Sequence, residues 1–321
     1  MRVKYSTHPQ EINHDTKTLN LARTSIHDAY ALKFRITTVN ETGSSVTRSI
    51  AGTLGAIRNI ELLSDSNRKH YGLSGMDLAL LNARIRKTQT NSPLNIADKT
   101  LASEETCTDE FVLYLDEGDI VAVAHTNLEL HIEFAEKTAE GLTVADASCT
   151  VTVIERLCTQ AELFAKYGED LRAVAEPKVY SIEKEVPACT DFVGVLDVPT
   201  TTLLKGGILN IQPVGGSLVM PSRVGLLRTV PDRVELMNMD YVTHRALDET
   251  IYQTTFPEGV LNFNFGTQWQ DNGVGKDGWS FSRGDVQIAL RSEAGLKLRY
   301  TSIESLVDTA LYGAAYKYTE Y

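Results

Sequence analysis

The clearest hydrophobic pattern in the chain lies in residues 111–136. Within residues 127–134, Leu128, Leu130, Ile132 and Phe134 alternate strictly with polar side chains. This period of two is typical of a β-strand with one buried face. In residues 111–115, Phe111, Leu113 and Leu115 recur at every second position, and the segment ends at an acidic turn. The pattern therefore predicts two half-buried strands in close succession.

A second stretch repeats this plan further along the chain. Apolar residues alternate with asparagine in 261–265, and in 286–291 Val286, Ile288 and Leu290 recur at every second position. The offsets from the first stretch are 150 residues (261 minus 111) and 158 residues (286 minus 128). Because a chain of 321 residues is long for one core, this repeat predicts two domains of similar plan.

A few segments favour helices over strands. Ser74 with Asp77, and Thr159 with Glu162, have the spacing of capping boxes, and apolar residues at helical spacing follow each pair. We predict helices over 73–87, 160–175 and 302–315. Residues 88–108 contain a proline and no period, so they indicate a long loop, whereas 242–255 are ambiguous between loop and helix.

The many short strands, with turn residues about every ten positions and few helices, favour sandwiches over a parallel α/β sheet. The fold class predicted is all-β with a few short helices, arranged as two tandem jelly-roll β-sandwiches. The predicted segments are an N-terminal arm (1–26), a first jelly roll (27–158), a connecting helix and linker (159–188), a second jelly roll (189–301), and a C-terminal helix and tail (302–321).

Composition narrows the function classes. Hydrophobic residues make up 42% and charged residues 23%, which is ordinary for a folded globular protein. The net charge of -11 makes the whole molecule a poor ligand for nucleic acid, so we expect no sequence-specific binding of nucleic acid. The sequence has no apolar run typical of a secretory signal or of a membrane span, and we expect synthesis in a host cytoplasm without secretion.

The four cysteines are widely spaced, and no Cys-x-x-Cys pair occurs. A reducing cytoplasm keeps thiols reduced. We therefore expect free or buried thiols at Cys107, Cys149, Cys158 and Cys189.

No local motif predicts catalysis, so we expect no catalytic residues. His125 and His131 are six apart without a third ligand nearby, and His131 falls on the polar face of its strand, which favours an exposed histidine over a metal site. Residues 273–278 match Gly-x-Gly-x-x-Gly, but the flanking residues indicate a loop between strands and not a nucleotide site. In that loop Asp271 and Asp277 offer oxygen ligands for Ca²⁺, yet the spacing of the helix-loop-helix calcium motif is absent. A solvated loop is favoured, no cofactor is expected, and a structural Ca²⁺ is the alternative.

The order of these segments resembles one known family. A polar arm, a strand, the segment AIRNIELL, a short helix, a long loop, FVLYLDE and NLELHIEF resemble one half of a double jelly-roll major capsid protein. FPEGVLNFNFG, DVQIALRSEAG and LKLRYTS resemble the other half. This family builds the shells of tailless icosahedral viruses with an internal membrane, including bacteriophages of the corticovirus and finnlakevirus types.

The resemblance implies a structural virion protein and no enzyme. Its expected partners are two further copies in a trimeric, pseudo-hexagonal capsomer, neighbouring capsomers, penton and minor capsid proteins, and the internal lipid membrane. Arg2 and Lys4 in the arm become candidates for contact with the membrane or a neighbour. Two alternatives remain: a glycan hydrolase with buried carboxylates, and a carbohydrate-binding module that uses Trp269 and Trp279.

Overall fold

In the computed structural model, the described residues are 2–65, 68–85, 92–167, 176–197, 203–215, 217–229, 232–264 and 286–306. The chain divides into two compact units, Met1–Val179 and Tyr180–Tyr321. The division falls inside one strand, β12, whose first four residues belong to the first unit.

The first unit contains strands that pair antiparallel and short helices that connect them. The strands are β1 (Arg2–Thr7), β2 (Ile12–Asn13), β3 (Thr18–Asn20), β4 (Ile26–Val39), β5 (Val46–Arg48), β6 (Ile57–Ser64), β7 (Arg68–Leu73), β8 (Lys99–Leu101), β9 (Thr106–Leu115), β10 (Leu128–Phe134) and β11 (Thr143–Leu157). The helices are α1 (Ile50–Gly55), α2 (Gly75–Ile85) and α3 (Gln160–Tyr167), with 3-10 turns at Pro93–Asn95 and Ala122–Ala124.

The second unit contains the next set of strands and one further helix. The strands are β12 (Glu176–Val186), β13 (Cys189–Asp197), β14 (Leu203–Gln212), β15 (Arg223–Arg228), β16 (Val234–Asp240), β17 (Val260–Asn264), β18 (Val286–Ser292) and β19 (Leu296–Leu306). The helix is α4 (Tyr241–Tyr252).

Both units have the same strand order. In the first unit one sheet runs β1-β11-β4-β9 and the other runs β7-β6-β10-β3, with β2 added to β11 and with β5 and β8 in a separate pair. If β2, β5 and β8 are left out, the remaining eight strands can be numbered one to eight in chain order. The two sheets then have the strand orders 1-8-3-6 and 5-4-7-2. The second unit gives β12-β19-β14-β17 and β16-β15-β18-β13, which are again 1-8-3-6 and 5-4-7-2. Two sheets of four strands in this order form a jelly roll, and the predicted fold class of two tandem jelly rolls is confirmed.

The repeat seen in the sequence corresponds to this topology. The strands predicted from 111–115 and 261–265 are β9 and β17, and each is the sixth strand of its unit. Those predicted from 127–134 and 286–291 are β10 and β18, and each is the seventh. The alternation was therefore a property of equivalent strands in two similar sandwiches.

The first strand of each jelly roll differs from the prediction. Residues 2–7 of the predicted arm form β1, which pairs with β11 along its whole length. The last part of the predicted connecting segment 159–188 is β12 (Glu176–Val186), a strand beside β19. Since the first strand of a jelly roll pairs with its eighth, sandwiches starting at 27 and 189 each lack that strand. Both strands have several consecutive exposed residues, so they carry no clear alternation.

The helix predicted over 302–315 does not begin at residue 302. Residues 302–306 complete strand β19 and pair with the start of β14. Residues 307–321, where the rest of that helix was predicted, lie outside the described residues. The predicted loop over 88–108 is shorter than expected, because it includes a 3-10 turn, β8 and the first residues of β9.

The two capping boxes are confirmed. The Ser74 hydroxyl donates to Asp77 Oδ2 at 2.7 Å, and the backbone N–H of Ser74 donates to the same atom at 2.9 Å. Before α3, the backbone N–H of Thr159 donates to Glu162 Oε2 at 2.8 Å. These contacts satisfy N–H groups that the first turn of a helix cannot pair internally.

Each unit has an apolar core made by the inward faces of its strands. In β10 the four apolar side chains are buried and the polar ones between them are half-buried, as predicted. Ile132 lies opposite Ile60 of β6 in the core of the first unit. In the second unit Ile288 lies opposite Leu226, and both belong to the buried cluster.

Candidate functional site

The predicted contact residues Arg2 and Lys4 lie on β1 and are exposed. Lys4 Nζ is 3.7 Å from Glu155 Oε2 on the neighbouring strand. Val3 and Tyr5 on the same strand are exposed by 58% and 70%. The strand has β11 on one side and ends the sheet on the other. It therefore presents basic and apolar side chains together at a sheet edge.

Other predicted site residues lie outside the described part of the chain. This applies to Asp271 and Asp277, the candidates for Ca²⁺, and to Trp269 and Trp279, on which the carbohydrate-binding alternative depended. The four cysteines are all described, and none of them forms a disulfide; Cys149 is buried.

His125 was expected on the same extended segment as His131, and the structure contradicts this. It follows the 3-10 turn Ala122–Ala124, and it is only 4% exposed. The extended segment does not reach it, because β10 begins at Leu128. His131 is half-buried on that strand, within hydrogen-bond distance of Thr18 Oγ1. Six residues therefore separate a buried histidine from a surface one.

His125 lies between two carboxylates. Its Nδ1 donates to Asp65 Oδ2 at 2.7 Å, and its Nε2 donates to Glu176 Oε1 at 2.8 Å. Burial lowers the pKa of His125, but the hydrogen bonds and charges of Glu176 and Asp65 outweigh burial and raise that pKa above its usual value. Both ring nitrogens act as donors, so the ring is an imidazolium in this arrangement.

Asp65 directly follows β6 and is held in place by hydrogen bonds from Thr126. Its φ of 50° lies in the left-handed region that Asp tolerates in turns. Its Oδ1 accepts hydrogen bonds from the backbone N–H of Thr126 at 2.7 Å and from the Thr126 hydroxyl at 3.0 Å. Burial raises the pKa of Asp65, but the bonds from His125 and Thr126 outweigh this effect and lower that pKa to about 2.

His70 on β7 lies beside His125, with ring centroids 5.5 Å apart. It is completely buried. Its Nε2 is 2.7 Å from Ser64 Oγ, and its Nδ1 is 3.3 Å from the carbonyl oxygen of Pro177. Burial lowers the pKa of His70 to about 4, so this ring is neutral near pH 7.

Glu176, the first residue of β12, contacts both histidines. Its Oε1 also accepts from the backbone N–H of Val121 at 3.1 Å. Its Oε2 lies 3.9 Å from His70 Nδ1 and 3.3 Å from the Arg68 guanidinium. This buried oxygen has no hydrogen-bond donor among the described residues. Two imidazoles and a carboxylate thus converge, with ligand atoms all within 4.8 Å of one another.

The second unit has a buried polar contact of a different kind. His244 Nε2 on α4 donates to the carbonyl oxygen of Asn262 at 2.8 Å, and Asp248 Oδ2 accepts from the N–H of Asn262 at 2.6 Å. Burial lowers the pKa of His244. These bonds attach α4 to the edge strand β17, so their role is structural.

Within the residues that the structure describes, none of the helices combines the length and apolar character needed to span a lipid bilayer.

No family model and no curated protein matches this chain. Among solved structures, the major capsid protein of Sulfolobus turreted icosahedral virus is 15% identical with a TM-score of 0.82, and the alignment covers 98% of this chain and 100% of that one. The major capsid protein of bacteriophage PM2 is 9% identical with a TM-score of 0.59, covering 96% and 99%. The Faustovirus major capsid protein is 9% identical with a TM-score of 0.57, covering 96% and 91%. This chain has the double jelly-roll fold.

Two members of the buried cluster of this double jelly-roll protein were not predicted from the sequence. His70 and Glu176 are 106 residues apart (176 minus 70), so no local spacing relates them. His125 was considered only with His131. One local feature could have indicated His70: it lies in β7, the strand directly before the capped helix α2.

Proposed function

We propose that this double jelly-roll chain is a viral major capsid protein, a structural component of the virion and not an enzyme. The observation that carries the proposal is the repeat of one strand order, 1-8-3-6 and 5-4-7-2, in both units. The solved structures that it resembles over nearly their whole length are viral major capsid proteins. This fold occurs in a Sulfolobus virus, a bacteriophage and Faustovirus, so it does not specify the host.

We propose further that three copies assemble into a pseudo-hexagonal capsomer. Three chains carry six sandwiches of a single topology, which suits a six-sided building block made from a three-fold oligomer. A six-sided block does not fit a five-fold vertex of an icosahedron, so a penton protein is an expected partner, together with minor capsid proteins and neighbouring capsomers.

The shell would cover an internal membrane, and β1 is the proposed contact with that membrane or a neighbouring capsomer. Arg2 and Lys4 supply positive charge on a chain whose net charge is -11, and anionic lipid headgroups attract such residues. The exposed Val3 and Tyr5 add apolar area at the same sheet edge.

Light scattering coupled to size-exclusion chromatography tests the assembly. One chain has a mass of 35.4 kDa, so the expected trimer has three times this mass, about 106 kDa. Electron microscopy of the same fraction should show particles with a three-fold or six-fold outline. A strict monomer from low micromolar to high micromolar concentration would refute the proposed assembly.

A further inference from the structure

The buried cluster in the first unit has the donor set of a transition-metal site. Two imidazole rings and one carboxylate are common ligands of Zn²⁺ in proteins. His70, His125 and Glu176 are 0%, 4% and 2% exposed, so burial isolates all three from solvent. A buried carboxylate is costly unless charge or hydrogen bonds compensate for it.

We propose that His70, His125 and Glu176 bind one Zn²⁺ ion through His70 Nδ1, His125 Nε2 and a carboxylate oxygen of Glu176. The inference concerns the first unit alone and does not depend on the capsid proposal.

The distances suit an ion of this size. Tetrahedral Zn²⁺ with bonds of about 2.05 Å places its ligand atoms about 3.3 Å apart. The Glu176 oxygens lie 2.8 Å from His125 Nε2 and 3.9 Å from His70 Nδ1, values on either side of that separation. All the ligand atoms lie within 4.8 Å of one another, so the widest pair must approach by at most about 1.5 Å (4.8 minus 3.3) when the ion binds.

Each histidine has a partner that orients its ring toward this point. Asp65 Oδ2 holds His125 by Nδ1, which leaves Nε2 facing Glu176. Ser64 Oγ lies 2.7 Å from His70 Nε2, which leaves Nδ1 on the side of Glu176. A metal-bound histidine typically donates its other N–H to a carboxylate or another oxygen in this way.

Glu176 supplies an observation independent of the histidines. Its buried Oε2 has no hydrogen-bond donor within the described ranges, although the Arg68 guanidinium lies 3.3 Å away. The Arg68 side chain is 31% exposed, so it can move toward solvent when a cation binds.

Zn²⁺ would replace the proton on His125 Nε2, which is released to solvent, and would give Glu176 Oε2 a positively charged partner. The proton that His70 Nδ1 donates to the Pro177 carbonyl would move to Nε2 of the same ring, where Ser64 Oγ accepts it. The carbonyl oxygen of Pro177, 3.3 Å from His70 Nδ1, or a water would complete the coordination.

The test is metal binding by the full chain after removal of metal with a chelator. At pH 7.5, Zn²⁺ competed against a chromophoric chelator should bind at one ion per chain. Co²⁺ used as a probe should give visible absorption bands of a four-coordinate ion. Zn²⁺ should also raise the thermal midpoint, because it binds the folded state.

Variants separate coordination from a structural effect. His125→Gln and Glu176→Gln should abolish the Co²⁺ bands. His244→Gln removes an equally buried histidine from the second unit and should leave both the bands and the stoichiometry unchanged. Asp65→Asn alters a side chain that is 37% exposed and orients His125, so it keeps the test valid if the buried variants do not fold. It should weaken Zn²⁺ binding by about 10-fold to 100-fold.

Two results would overturn the proposal. One is the absence of stoichiometric Zn²⁺ binding by the unaltered chain. The other is an unchanged Zn²⁺ affinity and Co²⁺ spectrum in folded Asp65→Asn, His125→Gln or Glu176→Gln.

Discussion

Burial of His27 should make the stability of the first unit depend on pH. His27 lies on β4 and is completely buried, with its Nδ1 2.8 Å from Tyr30 Oη. Burial lowers the pKa of His27 from 6.5 to about 4, with a smaller opposing effect from a backbone hydrogen bond at Ala22. Between about pH 4 and pH 6.5, His27 therefore binds a proton in the unfolded chain but not in the folded chain. Stability should fall as pH decreases from about 6.5 toward 4.

The size of the effect follows from these two pKa values. At pH 5 an unfolded His27 is almost fully protonated and the folded one is mostly neutral, which costs about 2 kcal/mol of the free energy of unfolding relative to pH 7. His27→Asn keeps an amide near the position of Nδ1 but removes the titration. The loss of stability between pH 7 and pH 5 should therefore be about 2 kcal/mol smaller in this variant than in the unaltered chain.

Urea unfolding followed by circular dichroism at pH 7 and pH 5 measures this difference. Taking the change between the two pH values within each protein removes the constant cost of the substitution. Comparing this change between the two proteins removes the titration of distant groups that both share. His131→Asn is the matched control, since His131 is only half-buried, and it should keep the pH dependence of the unaltered chain. Equal pH dependence in His27→Asn and the unaltered chain would show that His27 is not held neutral by burial.

Two further predictions concern the packing of the repeat and a helix cap. Ile132→Ala in β10 and Ile288→Ala in β18 remove completely buried side chains from equivalent strands. Each substitution should lower the free energy of unfolding, measured by urea denaturation, by about 2–5 kcal/mol. A loss below about 1 kcal/mol at either position would contradict its assignment to a core. Ser74→Ala removes the hydroxyl that precedes α2 and contacts Asp77 in its first turn. This substitution should lower the free energy of unfolding by about 1 kcal/mol. Ser45→Ala, in an exposed turn, is the control and should leave the free energy of unfolding almost unchanged.

The parts of the fold that could be predicted are those in which one face of a strand is buried and the other meets water. In β10 each apolar side chain is buried and each polar one is half-buried, so the sequence alternates with the structure. Its equivalent β18 is also strongly buried, and the pair revealed the repeat. The capped helices were readable because a capping box is local, with both partners within three residues.

The parts that could not be predicted depend on contacts distant in sequence. β1 is exposed at five of its six positions, so nothing in its composition separates a strand from a free arm. It is a strand because β11 supplies backbone partners about 150 residues away, from Arg2 opposite Leu157 to Thr7 opposite Thr152. Backbone pairing of this kind leaves little trace in the sequence of an edge strand.

The same limitation explains why the buried cluster was missed. Glu176 lies in the segment 159–188, which was predicted to be a connecting helix and linker, and a carboxylate in a linker is expected to face water. As the first residue of β12 it is instead buried against His70 and His125. The burial of this carboxylate is explained once the segment is assigned to the first strand of a jelly roll. One error of assignment therefore moved the boundary of the second sandwich and also concealed the third ligand of the proposed zinc site.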